Sequence, residues 1–191
     1  MSVNDVLAFW LETVGPSGWY KVNTALDNRI RTDFQPLWER VATLEWGGTA
    51  RGALAQIVVA DQFPRNMFRG DPRSFATDAL ARDLADAAIT KGFDLDIDPP
   101  ARQFFYLPFM HAEDMALQNR CIDLFDTRMP GDNQRHARAH AQAIARFGRF
   151  PWRNDALGRT STPAEKAILK AGGYSAALAQ TPTIDTGKKM V

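Results

Sequence analysis

The chain has a single cysteine, Cys121, among 191 residues, so no intrachain disulfide can form. A lone thiol fits a reducing compartment, which reads as cytoplasmic. Histidine is scarce too, with three residues: His111, His136 and His140. No apolar run approaches the roughly 18 residues a membrane-spanning helix needs, so no membrane partner is expected. The first cation is Lys21, so the N-terminus lacks the basic start of a secretory leader, and Val6 to Leu11 is too short for its apolar stretch. No segment alternates as a strand does. Glycine-rich phosphate loops and strand-elbow serines are also missing.

What is present is an ordinary globular composition, 45% hydrophobic and 24% charged, with a net charge of +1. That balance argues against broad nucleic-acid binding. The cations are lopsided: 17 of the 23 are Arg, and no Lys lies between Lys21 and Lys91. Arginine carries a planar fork of donors suited to fixed pairing with carboxylates and phosphates.

The pattern predicts an all-α protein. A first helix over Val3 to Thr13 is capped by Ser2, and a second segment runs from Thr24 to Glu45 with Pro36 splitting or kinking it. Thr49 caps a third helix that must stop by Pro64, because proline disfavours helix in the residue before it. Asp71-Pro72 opens a helix running to Gly92, and Asp98-Pro99-Pro100 opens a short aromatic one. Further helices span His111 to Phe125 and Asn133 to Phe147, the latter ended by Gly148. Thr162-Pro163-Ala164-Glu165 is a capping box with proline at its preferred place. The expected organisation is one helical domain over 1–173 and a loosely held tail over 174–191.

Three stretches carry groups able to do chemistry. In the first, a buried helix ends in Asp61 and Gln62 and presents Arg65, Asn66 and Arg69, an anion site or a self-pinned turn. The second places Arg146, Arg149, Arg153 and Arg159 among Phe147, Phe150 and Trp152, with Asn154 beside them. Arginine over an aromatic face gains about 0.5–2 kcal/mol, so the strip fits an anionic ligand or a structural clamp. In the third, which includes Tyr106, His111 stands at a predicted helix start beside Glu113 and Asp114, where the helix dipole favours a neutral imidazole. A neutral His with Glu beside it suits proton transfer, although acids in a first turn need no function. No metal or cofactor is predicted. His136 and His140 share a helix face, but Arg135 and Arg138 flank them and no Glu lies between. Cys121 reads as buried and inert.

In combination, these stretches resemble one family. Val6-Leu7-Ala8-Phe9-Trp10, Trp19-Tyr20, Asp61 to Asn66 with Arg69-Gly70, Tyr106-Leu107-Pro108 with His111 to Asp114, and Phe147 to Pro151 with Arg153-Asn154 and Leu157-Gly158-Arg159 are similar to the bacterial domain-of-unknown-function 924 family. The likeness covers about Val3 to Leu169. It implies antiparallel helix pairs in a right-handed, tetratricopeptide-like array, and no established activity. The chain departs from the family's usual residues at two positions, with Trp152 for a usual His and Ala112 for a frequent Ser.

The leading expectation is a binding module for a small anionic ligand or a peptide carboxylate. Arg65, Arg69, Arg149, Arg153 and Arg159 would carry it, with Asp61, Gln62, Asn66 and Asn154 alongside and Trp19 and Tyr106 lining the wall. One alternative is a hydrolase or transferase with His111 as general acid/base and Glu113 orienting it. Another is a scaffold whose arginines lock loops. An open site requires unpaired guanidinium groups, whereas a lock requires each to be neutralised.

Overall fold

The computed structural model describes residues 1–183. Every regular element among them is helical, and none of those helices is long and apolar enough to cross a membrane. The chain divides into two compact units, Met1–Pro108 and Phe109–Val191.

In the first unit, α1 (Val3–Leu7) starts at a full capping box between Ser2 and Asp5 and widens into a π-helical stretch, Ala8–Val14. Helix α2 (Gly15–Gly18) and α3 (Thr24–Trp38) follow, the latter capped by the Asn23 side chain. Pro36 lies inside α3, which ends at Trp38 and not at Glu45; a 3-10 turn at Val41–Thr43 completes the segment. Thr49 caps α4 (Ala50–Ile57) as expected.

The predicted stop before Pro64 does not occur. The chain opens into a π-helical stretch over Val58–Gln62, in which the Phe63 N–H reaches back five residues to the Val58 carbonyl, and continues as α5 (Phe63–Met67). Pro64 is the second residue of α5, and the Ala60 carbonyl four residues before it accepts from the Thr77 hydroxyl in place of the N–H that proline lacks. A 3-10 turn (Pro72–Phe75), α6 (Asp78–Thr90), a 3-10 stretch (Ala101–Phe105) and α7 (Leu107–Met110) follow, so the helix expected from Pro72 begins properly only at Asp78. Helix α3 packs on α5, and α4 packs on α1 and α6. Between them Phe9, Trp10, Phe34, Phe63 and Phe104 form a chain of ring contacts at 4.6–6.2 Å. Each such buried side chain contributes about 1.5–3 kcal/mol.

The second unit is built on a helical hairpin, α8 (Met115–Arg128) and α9 (Asn133–Phe147). Asp114, not His111, is the cap of α8, and its carboxylate accepts from the Leu117 N–H at 2.9 Å. His111 therefore lies in the turn before the helix, and the dipole argument for its charge state does not apply. That turn is fixed by buried Gln118, whose amide donates to the Met110 and Ala112 carbonyls at 2.7 Å each. Gly148 ends α9 in the left-handed conformation (φ 70°), which favours glycine. A 3-10 turn (Pro151–Arg153) leads to α10 (Pro163–Lys170), opened by the predicted capping box of Thr162 and Glu165.

Residues 174–180, expected to be loosely held, form α11 (Tyr174–Gln180), which packs on α9. Arg135 holds the end of α11 by donating to the Leu178 carbonyl (2.9 Å) and the Thr181 carbonyl (3.0 Å). The low apolar content of this segment hid contacts made by the Tyr174 ring against His136 and His140 and by the backbone carbonyls that Arg135 holds. The rest of the expected tail, 184–191, lies outside the described residues.

Candidate functional site

The first stretch forms a polar cluster within the first unit. Asp61 is fully buried, and Gln62 and Asn66 nearly so. The Arg65 guanidinium contacts the Asp78 carboxylate at 2.8 Å and that of Asp61 at 3.4 Å. Burial works against its charge, but the two carboxylates outweigh burial and push its pKa up. Gln62 donates to Asp61. Arg69 makes a fork on Asp27, at 2.6 and 3.1 Å, and also donates to the Asn66 amide oxygen at 2.8 Å. The π-helical stretch sets Asp61 one turn before Arg65, so both cations of the loop meet acids of their own unit.

Trp19 and Tyr106, expected to line an open wall, are core residues, 7% and 0% exposed. The Trp19 indole N–H donates to the Trp10 carbonyl at 2.7 Å, and the Tyr106 hydroxyl to Asp94 at 2.7 Å. Their amphipathic rings found buried acceptors, which residue type alone does not reveal.

The second unit gathers His111, Glu113, Arg149, Arg153, Asn154 and Arg159. Glu113 is the hub: it accepts from the Phe150 backbone N–H (2.9 Å) and from Arg159 (2.8 and 2.9 Å). Burial raises the Glu113 pKa, but these hydrogen bonds and the charges of Arg159 and Arg153 bring it below the ordinary carboxylate value. Arg153 lies over the Phe150 ring and donates to the His111 carbonyl at 3.0 Å. Asn154, fully buried, donates to the Ser161 hydroxyl at 3.0 Å, and its amide oxygen has no partner among the described residues. Arg149 forks onto Glu165 at 2.6 and 2.9 Å. The Arg149 fork, then the Thr162 N–H, hold the Glu165 carboxyl down at about 2.

Beside that fork is a surface depression of about 390 Å³ lined by Arg146, Phe147, Gly148, Arg149, Thr162, Ala164 and Glu165. Arg146 is exposed, lies 4.9 Å over the Phe147 ring, and has no acid partner among the described residues. The Ala164 N–H, in the first turn of α10, has no acceptor among them either. No group of three or more His, Cys, Asp or Glu able to hold a metal ion occurs among the described residues.

A family model described as a bacterial protein of unknown function, DUF924, matches residues 6–173. The chain belongs to that family. A solved protein of unknown function from Agrobacterium tumefaciens is similar, with 42% identity and a TM-score of 0.84. The likeness covers 89% of this chain and 97% of that one. A comparison with curated proteins finds no match.

In this DUF924 protein, the structure adds residues that the reading of single stretches did not single out as site residues. Glu165 was legible as a helix cap, and its second partner, Arg149, lies 16 positions away. Asp27 and Asp78 gave no local signal, because each meets its arginine only through helix packing. His136 and His140 were legible as one helix face, but Trp152 and Tyr174, whose rings lie with theirs in the second unit, come from later elements.

Proposed function

We propose that this protein is a binding module for a small anionic ligand, held in the depression at the start of α10. The observation that carries this reading is Arg146, an exposed guanidinium at the rim of a hollow whose other cation, Arg149, is already matched by Glu165. The lining is therefore left with one positive charge in excess. The Ala164 N–H adds a neutral donor, and the first turn of a helix favours negative charge by about 0.3–1 kcal/mol. A volume of about 390 Å³ is in the range of small-molecule sites. A carboxylate or phosphate fits this chemistry, because arginine pairs with either through two parallel hydrogen bonds. The tetratricopeptide-like array belongs to this reading as well, supported within the second unit by the α8–α9 hairpin, as does a cytoplasmic setting, supported by the single buried thiol.

The test is a titration of the protein with succinate and with inorganic phosphate, followed by amide NMR shifts at Arg146, Arg149 and Ala164. One of the two anions is expected to saturate those shifts, and Arg146→Gln to weaken it about tenfold. No saturable shift at either anion, or equal binding by the variant, would end this reading.

A second reading, a scaffold with locked loops, is favoured by the neutralised state of Arg65, Arg69, Arg149 and Arg159, each of which meets a carboxylate. The acid/base reading of His111 with Glu113 draws no support from Glu113, whose carboxylate is already engaged by Arg159 and the Phe150 N–H.

A further inference from the structure

The depression at the start of α10 presents hydrogen-bond donors that the protein itself leaves unused. Glu165, nearly fully buried, has both carboxylate oxygens engaged: Oε1 takes the Arg149 Nε–H, and Oε2 takes Arg149 Nη2 and the Thr162 N–H. Arg149 Nη2 also donates to the Thr160 carbonyl at 2.9 Å. Three of the five guanidinium hydrogens of Arg149 are thus committed. The two on Nη1 meet no acceptor among the described residues. The fork on Glu165 fixes the plane of the guanidinium, so Nη1 is held in place. Glu113 acts on Arg149 from further off and is itself matched by Arg159.

Two more donors line the same hollow. Arg146, in the last turn of α9, lies over the Phe147 ring and meets neither an acid nor a carbonyl among the described residues. The Ala164 N–H, in the first turn of α10, has no acceptor among them, and the Thr160 carbonyl four residues back takes Arg149 instead. Gly148 turns the chain out of α9 at φ 70°, so Arg149 does not follow the helix face that carries Arg146. Unused donors therefore come from three places in the chain: the end of α9, the residue after Gly148 and the first turn of α10.

A carboxylate has two oxygens in one plane, and a single arginine fork satisfies both. Held by Arg146 alone, it would leave Arg149 Nη1 and the Ala164 N–H unfilled. A phosphate monoester has three terminal oxygens pointing in different directions, one for each of the three places. Its charge of about −1.5 to −2 at pH 7 suits a lining whose cations, Arg146 and Arg149, outnumber its one acid, Glu165. Size separates an ester from the bare ion. A phosphate ion needs the room of about two or three waters, at ~30 Å³ each, which is a minor part of a hollow of about 390 Å³. Phe147 gives the remainder an apolar wall.

We propose that, at the anion site put forward above, the ligand is a phosphate monoester, with its terminal oxygens on Arg146, Arg149 Nη1 and the Ala164 N–H and its ester group along Phe147. Glu165 is then a positioning residue, which orients Arg149 without touching the ligand.

The full-length protein is titrated with phenyl phosphate, phenylacetate and inorganic phosphate, and the Ala164 amide and the Arg149 Nε–H are followed by NMR. Phenyl phosphate and phenylacetate share a ring and differ in the head group. Phenyl phosphate is expected to saturate both signals and to bind about tenfold more tightly than phenylacetate, as one more hydrogen bond to a charged group gives. Inorganic phosphate is expected to bind more weakly than the ester. Arg149→Lys retains a cation for Glu165 and removes the Nη1 hydrogens, and is expected to abolish the preference for phenyl phosphate over phenylacetate. Thermal unfolding shows whether that variant keeps the fold; if it does not, the wild-type comparison carries the decision. Equal affinity for phenylacetate and phenyl phosphate would overturn the phosphate assignment and leave the anion site standing. Inorganic phosphate bound as tightly as phenyl phosphate would overturn the ester. No saturable shift with any of the three would remove the anion site itself.

Discussion

Glu113 and Arg159, 46 positions apart, close on each other at 2.8–2.9 Å, and the same carboxylate takes the Phe150 N–H. One side chain thereby ties the turn before α8 to both ends of the loop that follows α9. An ion pair of this kind, one-fifth to one-third exposed, holds geometry more than it holds charge for a ligand.

Glu113→Gln is expected to destabilise the protein by about 1–3 kcal/mol, since a charged acceptor of two donors is lost. The native pKa of Glu113 is below its ordinary 4.5, so the unfolded chain binds more protons near that pH. Its contribution is complete above about 4.5 and is lost as pH falls through the lower native value. Urea unfolding of both proteins from pH 7 to 3 checks this: the gap is expected to narrow on acidification, and a gap that is constant or widens contradicts the assignment.

Arg65→Ala leaves Asp61 and Asp78 facing each other with side chains 1% and 11% exposed. Removing one partner of a buried ion pair costs about 3–5 kcal/mol, far more than an exposed pair contributes. Thermal unfolding is the measurement, and a loss below about 1 kcal/mol would show that water reaches the two acids.

Gly52 lies in α4, where alanine would ordinarily gain about 1 kcal/mol. Here a Cβ would meet the Trp46 carbonyl oxygen at 2.0 Å and the Thr49 hydroxyl at 3.0 Å. Backbone cannot retreat as a side-chain tip can, so the clash wins, and Gly52→Ala is expected to lower stability by about 1–3 kcal/mol. A variant as stable as the wild type in chemical denaturation would mean that the turn before α4 yields freely.

Cys121 is fully buried in α8, and burial pushes its thiol pKa well up despite a hydrogen bond involving the Met110 backbone. A disulfide reagent at pH 8 is expected to label it only as fast as the protein opens, and at once in denaturant. Rapid labelling of the native protein would place the thiol at the surface.

Three helix starts were readable from sequence because a cap and its target lie within three residues: the caps at Ser2, Thr49 and Thr162 formed as expected, with Asp5, Gly52 and Glu165 as their targets. The all-helical class was readable for the same local reason. Pro64 misled because a π-turn, costless in sequence terms, let the chain pass through it. Trp19 and Tyr106 misled because rings with one polar atom serve a core as well as a wall. Which carboxylate neutralises which arginine was decided only by packing, as with Asp27 and Arg69, 42 positions apart. The meeting of three histidines with Trp152 and Tyr174 was decided the same way. Short-range hydrogen bonds are encoded by neighbours in the chain, whereas these contacts exist only once helix faces have been buried against each other.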